Sequence, residues 1–277
     1  MIIWLASYPK SGNTWLRLFL KSYFSKPEGE FNINKFATDY FKCDSFPNIT
    51  LLEKLEVNYL KFEEIVKNWS NMQNFINLHN KINYVKTHNA LCTIGPFKFT
   101  DKSQTAGAVY LIRDPRDVAV SYSYHLGKSI DETIDIMNAE FNFEFPDSKR
   151  GKFKSSLIGK WSVHYQSWKT FNSGEILVIK YEDMVNNTKE TFLKILQYLS
   201  KIQGFRVDIE KMQYSIEQTN FKTLSVLEKK QGFKEKGEGQ FFFRKGEIGD
   251  WKKVLNKRQS DKIERVFSKE MANLGYL

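Results

Sequence analysis

Short apolar runs separated by longer stretches of helical periodicity set the pattern of this chain. Residues 1–6 are apolar throughout and stop at Pro9-Lys10-Ser11-Gly12, which predicts a buried strand ending in a turn. Residues 14–24 place apolar side chains at helical spacing and predict an amphipathic helix. Residues 25–50, rich in Asn, Asp, Phe and Pro, read as loop. Leu52, Leu55, Tyr59, Phe62, Ile65, Val66 and Trp69 carry a helical period through 51–79. Further strands are predicted at 82–86, 108–113 and 176–180. Asp114-Pro115 opens a helix, with Asp as N-cap and Pro in the first turn. Other helices are expected near 158–171, 188–200, 207–218 and 258–273. Residues 141–156 read as irregular, and 229–250 as a Lys/Glu/Gly-rich loop.

Strands alternating with helices predict an α/β fold, with a central, mostly parallel β-sheet flanked by helices. No linker, repeat or low-complexity block interrupts the chain, so residues 1–277 are expected to form a single domain. Hydrophobic residues at 41% suffice for a sizeable core. The net charge of +10 favours anionic partners, among them nucleic acid, anionic lipid and a phosphorylated small molecule. Cys43 and Cys92 fit neither a disulfide framework nor a zinc site. The apolar start is too short for a signal sequence or a membrane span, and a cytoplasmic protein is expected.

Three segments bear on chemistry. Ser7-Tyr8-Pro9-Lys10-Ser11-Gly12-Asn13-Thr14-Trp15 joins the first strand to the first helix, putting N–H groups, hydroxyls and a lysine where an anion can sit. The lysine precedes the only glycine, so this is not the Gly-Lys-Ser/Thr order of nucleoside-triphosphate loops. In Arg113-Asp114-Pro115-Arg116-Asp117-Val118-Ala119-Val120-Ser121, a guanidinium and a hydroxyl two turns on can share one phosphate. Arg244-Lys245-Gly246-Glu247-Ile248-Gly249-Asp250-Trp251-Lys252 offers two cations and a glycine for another phosphate grip. Alone, each has an ordinary alternative: a plain strand–turn–helix, surface ion pairs, a solvated basic loop.

Together, in this order, the three segments resemble the cytosolic-type sulfotransferases that use 3′-phosphoadenosine-5′-phosphosulfate (PAPS). Lys86-Thr87-His88, Lys180-Tyr181-Glu182-Asp183-Met184 and Gln218-Thr219-Asn220-Phe221 resemble further segments of that family. The resemblance implies that the loop after strand 1 binds the donor's phosphosulfate. Lys10 would touch the bridging oxygen, with Ser11, Gly12, Asn13 and Thr14 around the 5′-phosphate. Trp15 and Phe221 would stack on adenine, with Tyr181 and Thr219 beside it. Arg113, Ser121, Arg244, Lys245 and Gly246 would hold the 3′-phosphate. His88 would be the catalytic base, preferred to His79, His125 and His164, and Lys86 its cationic neighbour. A neutral imidazole suits proton removal near pH 7, and a lysine suits charge developing on a leaving oxygen.

Two features depart from the family: Asn13 stands where it usually has Thr, and no Lys-x-x-x-Thr-Val-x-x-x-Glu dimer segment precedes Arg244. An acceptor pocket formed without the N-terminal extension of animal members is expected. The implied reaction moves a sulfuryl group from PAPS to a hydroxyl or amine of a small-molecule acceptor, leaving 3′-phosphoadenosine-5′-phosphate (PAP), with no metal. A P-loop-type kinase, a basic nucleic-acid-binding protein and a silent fold that retains PAPS are the alternatives. Acceptor contacts are expected from 31–50, 89–104 and 141–156.

Overall fold

The apolar run that opens the chain becomes the central strand of a five-stranded parallel sheet in the computed structural model. The structure describes residues 1–25, 30–79, 81–141, 156–171 and 176–277, with 143–144 as backbone. The strands are β1 (Ile2–Ser7), β2 (Cys43–Ser45), β3 (Asn83–Thr87), β4 (Thr93–Ile94), β5 (Phe97–Lys98), β6 (Thr105–Ile112), β7 (Phe143–Glu144), β8 (Ser156–Leu157) and β9 (Ile176–Lys180). The first seven helices are α1 (Asn13–Phe24), α2 (Ile49–Lys54), α3 (Phe62–Lys67), α4 (Trp69–Asn77), α5 (Pro115–Leu126), α6 (Ile130–Asn138) and α7 (Trp161–Lys169). The remainder are α8 (Tyr181–Asn186), α9 (Thr188–Gln203), α10 (Ile209–Gln218), α11 (Phe221–Gln231), α12 (Trp251–Val254) and α13 (Lys257–Asn273).

The sheet order is β2-β3-β1-β6-β9, and every neighbouring pair in it is parallel. Alternate side chains of β1 point to opposite faces. Ile3 and Leu5 pack with Leu16, Phe19 and Leu20 of α1 and with Phe192, Ile195 and Leu199 of α9. Ile2, Trp4 and Ala6 pack on the other face with Trp69, Tyr122, Trp161 and Phe267. With both faces covered, the strands read as continuous apolar runs.

The structure differs from the sequence reading in particular segments. The helical period over 51–79 is broken into α2, α3 and α4, and the stretch read as loop over 25–50 contains β2. β2 is three residues, Cys-Asp-Ser, paired with β3 along the sheet edge. Helix α11 runs to Gln231, the first residues of the segment read as loop over 229–250. Most of 141–156, one of the expected acceptor segments, lies outside the described residues.

Parallel strands deliver their C-terminal ends to one edge, which is where open α/β sheets hold ligands. Ser45 ends β2, Thr87 ends β3, Ser7 ends β1, and Arg113 and Tyr181 follow β6 and β9 directly. All but Ser7 line one cavity of about 700 Å³.

Candidate active site

The turn after β1 is shaped by two unusual backbone conformations. Lys10 has φ 66° and Gly12 φ 99°, both left-handed. Only glycine fits at position 12, because a Cβ there would lie 2.9 Å from the Tyr181 ring. Lys10 bears the left-handed conformation with a side chain, at a cost of roughly 1–2 kcal/mol. Gly12 caps α1 without a side-chain hydrogen bond, and Gly12, Asn13 and Thr14 line the cavity, so the N-terminal end of the helix lies at it.

Every residue to which the resemblance gives a donor or catalytic role lines this cavity except Ser11, which is fully buried. The Ser11 hydroxyl, Arg113 Nε and Trp15 Nε1 are buried polar atoms with no hydrogen-bond partner among the described residues. Trp15 packs edge-on against Tyr181 and Phe192. Phe221 opens α11 and lies so close to Gly246 that a Cβ there would come within 2.3 Å of the ring. Thr219 is buried, and its hydroxyl donates to the Ser215 carbonyl at 2.7 Å.

The cations are already organised. Arg113 lies 4.3 Å over the Tyr181 ring and donates to the carbonyls of Glu247 (2.9 Å) and Lys10 (3.4 Å). Arg244 and Lys245 each reach a different oxygen of the buried Asp250 at 2.6 Å. Burial pushes the Asp250 carboxyl up, but those two bonds outweigh it and hold it below the usual range. Asp117 on α5 accepts the N–H groups of Gly249 (2.7 Å) and Trp251 (3.0 Å), tying the loop to the helix. Lys10 Nζ sits 3.8 Å over Phe242.

His88 follows β3. Its Nδ1 lies 2.8 Å from the Ser7 carbonyl oxygen and 3.3 Å from the Ser7 hydroxyl. A carbonyl can only accept, so a neutral imidazole there carries its proton on Nδ1 and leaves Nε2 basic. His88 lines the cavity, and its own carbonyl accepts from Nε2 of His164 at 3.1 Å. His164 is fully buried against the Tyr110 hydroxyl, and burial lowers its pKa to about 4. It is a structural neutral histidine; His79 is exposed at the end of α4, and His125 lines the cavity beside Tyr122.

The sequence reading missed a polar group in this site. Asn13, placed there beside the 5′-phosphate, turns its side chain back: Nδ2 donates to the Leu5 carbonyl (2.8 Å) and Ser7 hydroxyl (3.3 Å), and Oδ1 accepts from Arg17 (3.1 Å). Arg17 is 1% exposed and pairs with Glu235 at 2.5 Å. Glu235 also accepts from the Thr14 hydroxyl at 3.1 Å and lies 3.9 Å from Lys86. Nothing in the local sequence links positions 17 and 235. A carboxylate inside the most basic loop is the one signal that was available.

This parallel sheet, with its tight turn and helix after β1 and its histidine and lysines at the strand ends, is the architecture of a group-transfer enzyme family, and the chain belongs to the sulfotransferase domain family, whose pattern matches residues 2–275. Among its relatives, the amine sulfotransferase of Oryctolagus cuniculus is 27% identical over 97% of this chain and 80% of its own length. Sulfotransferase 1B1 of Canis lupus familiaris is also 27% identical, over 97% of this chain and 82% of its own length. Other alignments are partial: a 3-alpha-hydroxysteroid sulfotransferase of Cavia porcellus matches at 27% over 63% of this chain, and the match spans 58% of that protein. Two solved structures share the fold at low identity. Retinol dehydratase in a complex with retinol and PAP superposes with a TM-score of 0.61 at 18% identity, over 98% of this chain and 81% of its own. Mouse sulfotransferase SULT7A1 complexed with PAP gives 0.58 at 19%, over 98% and 85%.

Proposed function

We propose that this protein transfers a sulfuryl group from PAPS to a hydroxyl or amine of a small-molecule acceptor. The observation that carries the reading is the convergence, in one cavity, of a helix N-terminus without a side-chain cap, Lys10, His88, Arg113, Ser121, Arg244 and Lys245. Cations and hydroxyls beside the aromatic rings of Trp15, Tyr181 and Phe221 fit a nucleotide phosphorylated at both its 3′ and 5′ ends. The unpartnered polar atoms of Ser11, Trp15 and Arg113 fit the same ligand.

In this reading Trp15, Tyr181 and Phe221 receive the adenine, and the Arg113 cluster receives the 3′-phosphate. His88 Nε2 takes the acceptor's proton, with the ring oriented by the Ser7 carbonyl. The new bond from acceptor to sulfur forms as the bond from sulfur to the 5′-phosphate oxygen breaks, and Lys10 stabilises the charge on that oxygen. The products are the sulfated acceptor and PAP. Phe46, Tyr122 and Phe242 line the cavity as an aromatic wall for the acceptor.

Thermal unfolding tests the donor. PAP is expected to raise the melting temperature, whereas ATP with magnesium is not, because the turn lacks the triphosphate-loop order. Equal stabilisation by ATP would favour a kinase.

A further inference from the structure

An anion-binding cleft holds a carboxylate of its own. Glu235 belongs to residues 233–243, a strap that crosses the cavity between α11 and the Arg244-Lys245 loop. Phe233 anchors one end of the strap in the cluster of Leu18, Leu224 and Phe243. Its middle is pinned to α5, where the N–H of Glu238 donates to the His125 carbonyl at 2.9 Å. Between these points the Glu235 carboxylate turns inward to the Thr14 hydroxyl, Arg17 and Lys86.

The hydroxyl of Thr14 shows what this costs the site. Its oxygen accepts from Arg17 Nη2 at 3.2 Å, and its single proton goes to Glu235 at 3.1 Å. It therefore has no proton left for a phosphate. A second anion beside the carboxylate would also meet like-charge repulsion in a partly desolvated cleft. Protonation does not relieve this at neutral pH. Burial pushes Glu235 up, but Arg17 and Lys86 hold it well below the usual carboxylate range.

We propose that Glu235 is an internal anion that occupies the 5′-phosphate subsite through Thr14, Arg17 and Lys86, and that the donor must displace it, unlatching the strap as it binds. This rests on the reading that Thr14 contacts the donor's 5′-phosphate. Donor entry then exchanges one anion for another on the same donors, and strap position reports which anion is bound.

The probe is PAP, its affinity measured by calorimetry on the full chain. Glu235→Gln keeps the shape and an acceptor for Arg17 but removes the competing charge. It is expected to bind PAP about tenfold more tightly than the wild type. Unchanged or weaker binding by E235Q overturns the proposal, making Glu235 a support for the site. Hydrogen exchange on the wild type gives a second measurement that needs no variant. Saturating PAP is expected to speed exchange of amides 233–236 while slowing those of 244–251. Slower exchange in both segments overturns the latch. A wild type that fails to bind PAP would overturn the donor reading together with this one, whereas tight wild-type binding with E235Q unchanged sinks the latch alone.

Discussion

At the scale of single residues, the proposed function divides the site between groups that would meet the acceptor and groups that would meet the donor. In the proposed function His88 belongs to the first set, since its Nδ1 bond to the Ser7 carbonyl leaves Nε2 as the unprotonated nitrogen of the neutral ring. His88→Ala is expected to lower kcat by about 10²–10⁴ while PAP affinity stays within twofold or so, because only the chemical step loses a partner. Measuring kcat with a screened acceptor and the PAP Kd in the same variant decides it. Near-normal turnover would pass the role to another group, His125 first. The candidate residues that share the cavity were legible in the chain, because the residue types that bind phosphate or move protons are few and stand in recognisable order. Which way a side chain turns was not legible. Asn13 faces β1 and Arg17 rather than the cavity centre because the Leu5 carbonyl and Ser7 hydroxyl lie within its reach.

At the scale of elements, the loop from Arg244 to Trp251 is positioned from outside itself. The Asp117 carboxylate accepts two of its N–H groups and lies 3.8 Å from Arg113, so one side chain on α5 aligns both halves of the proposed 3′-phosphate grip. Asp117→Asn replaces one acceptor by a donor that opposes an N–H. A charge-assisted hydrogen bond is worth about 1.5–3 kcal/mol, so PAP binding is expected to weaken about tenfold or more. Calorimetry on D117N checks this, and an unchanged Kd would detach the loop's geometry from donor binding. The elements themselves were read from the sequence where an apolar run or helical period exceeds a few residues. β1, β3, β6 and β9 qualify. β2 does not: a three-residue strand takes its identity from the hydrogen bonds offered by β3, which no local pattern records.

At the scale of the whole molecule, the buried polar pairs set how stability responds to pH. His164 is neutral in the fold, with a pKa lowered by burial from 6.5 to about 4. Above pH 6.5 neither state binds that proton, and the stabilisation is complete. As pH falls from 6.5 towards 4 the unfolded chain takes up the proton first, so stability is lost over that window, by about 3 kcal/mol in total. Urea midpoints measured from pH 4 to 7 check this. His164→Gln is expected to flatten the difference within the window, and an equal slope in both proteins would remove His164 as its source. The sequence by itself determined the alternation of strands and helices and the residue types at the strand ends, because hydrophobic period and turn chemistry act over a few neighbours. It determined the strand–turn–helix at the cavity for the same reason, since strand, turn and helix are contiguous from Ile2 to Phe24. Only the tertiary structure decided that Glu235 meets Arg17 and Thr14, and that Asp117 holds the N–H groups of Gly249 and Trp251. Those contacts join positions far apart in the chain. They exist because packing the helices on the sheet buries charges that must then find partners in the space left to them.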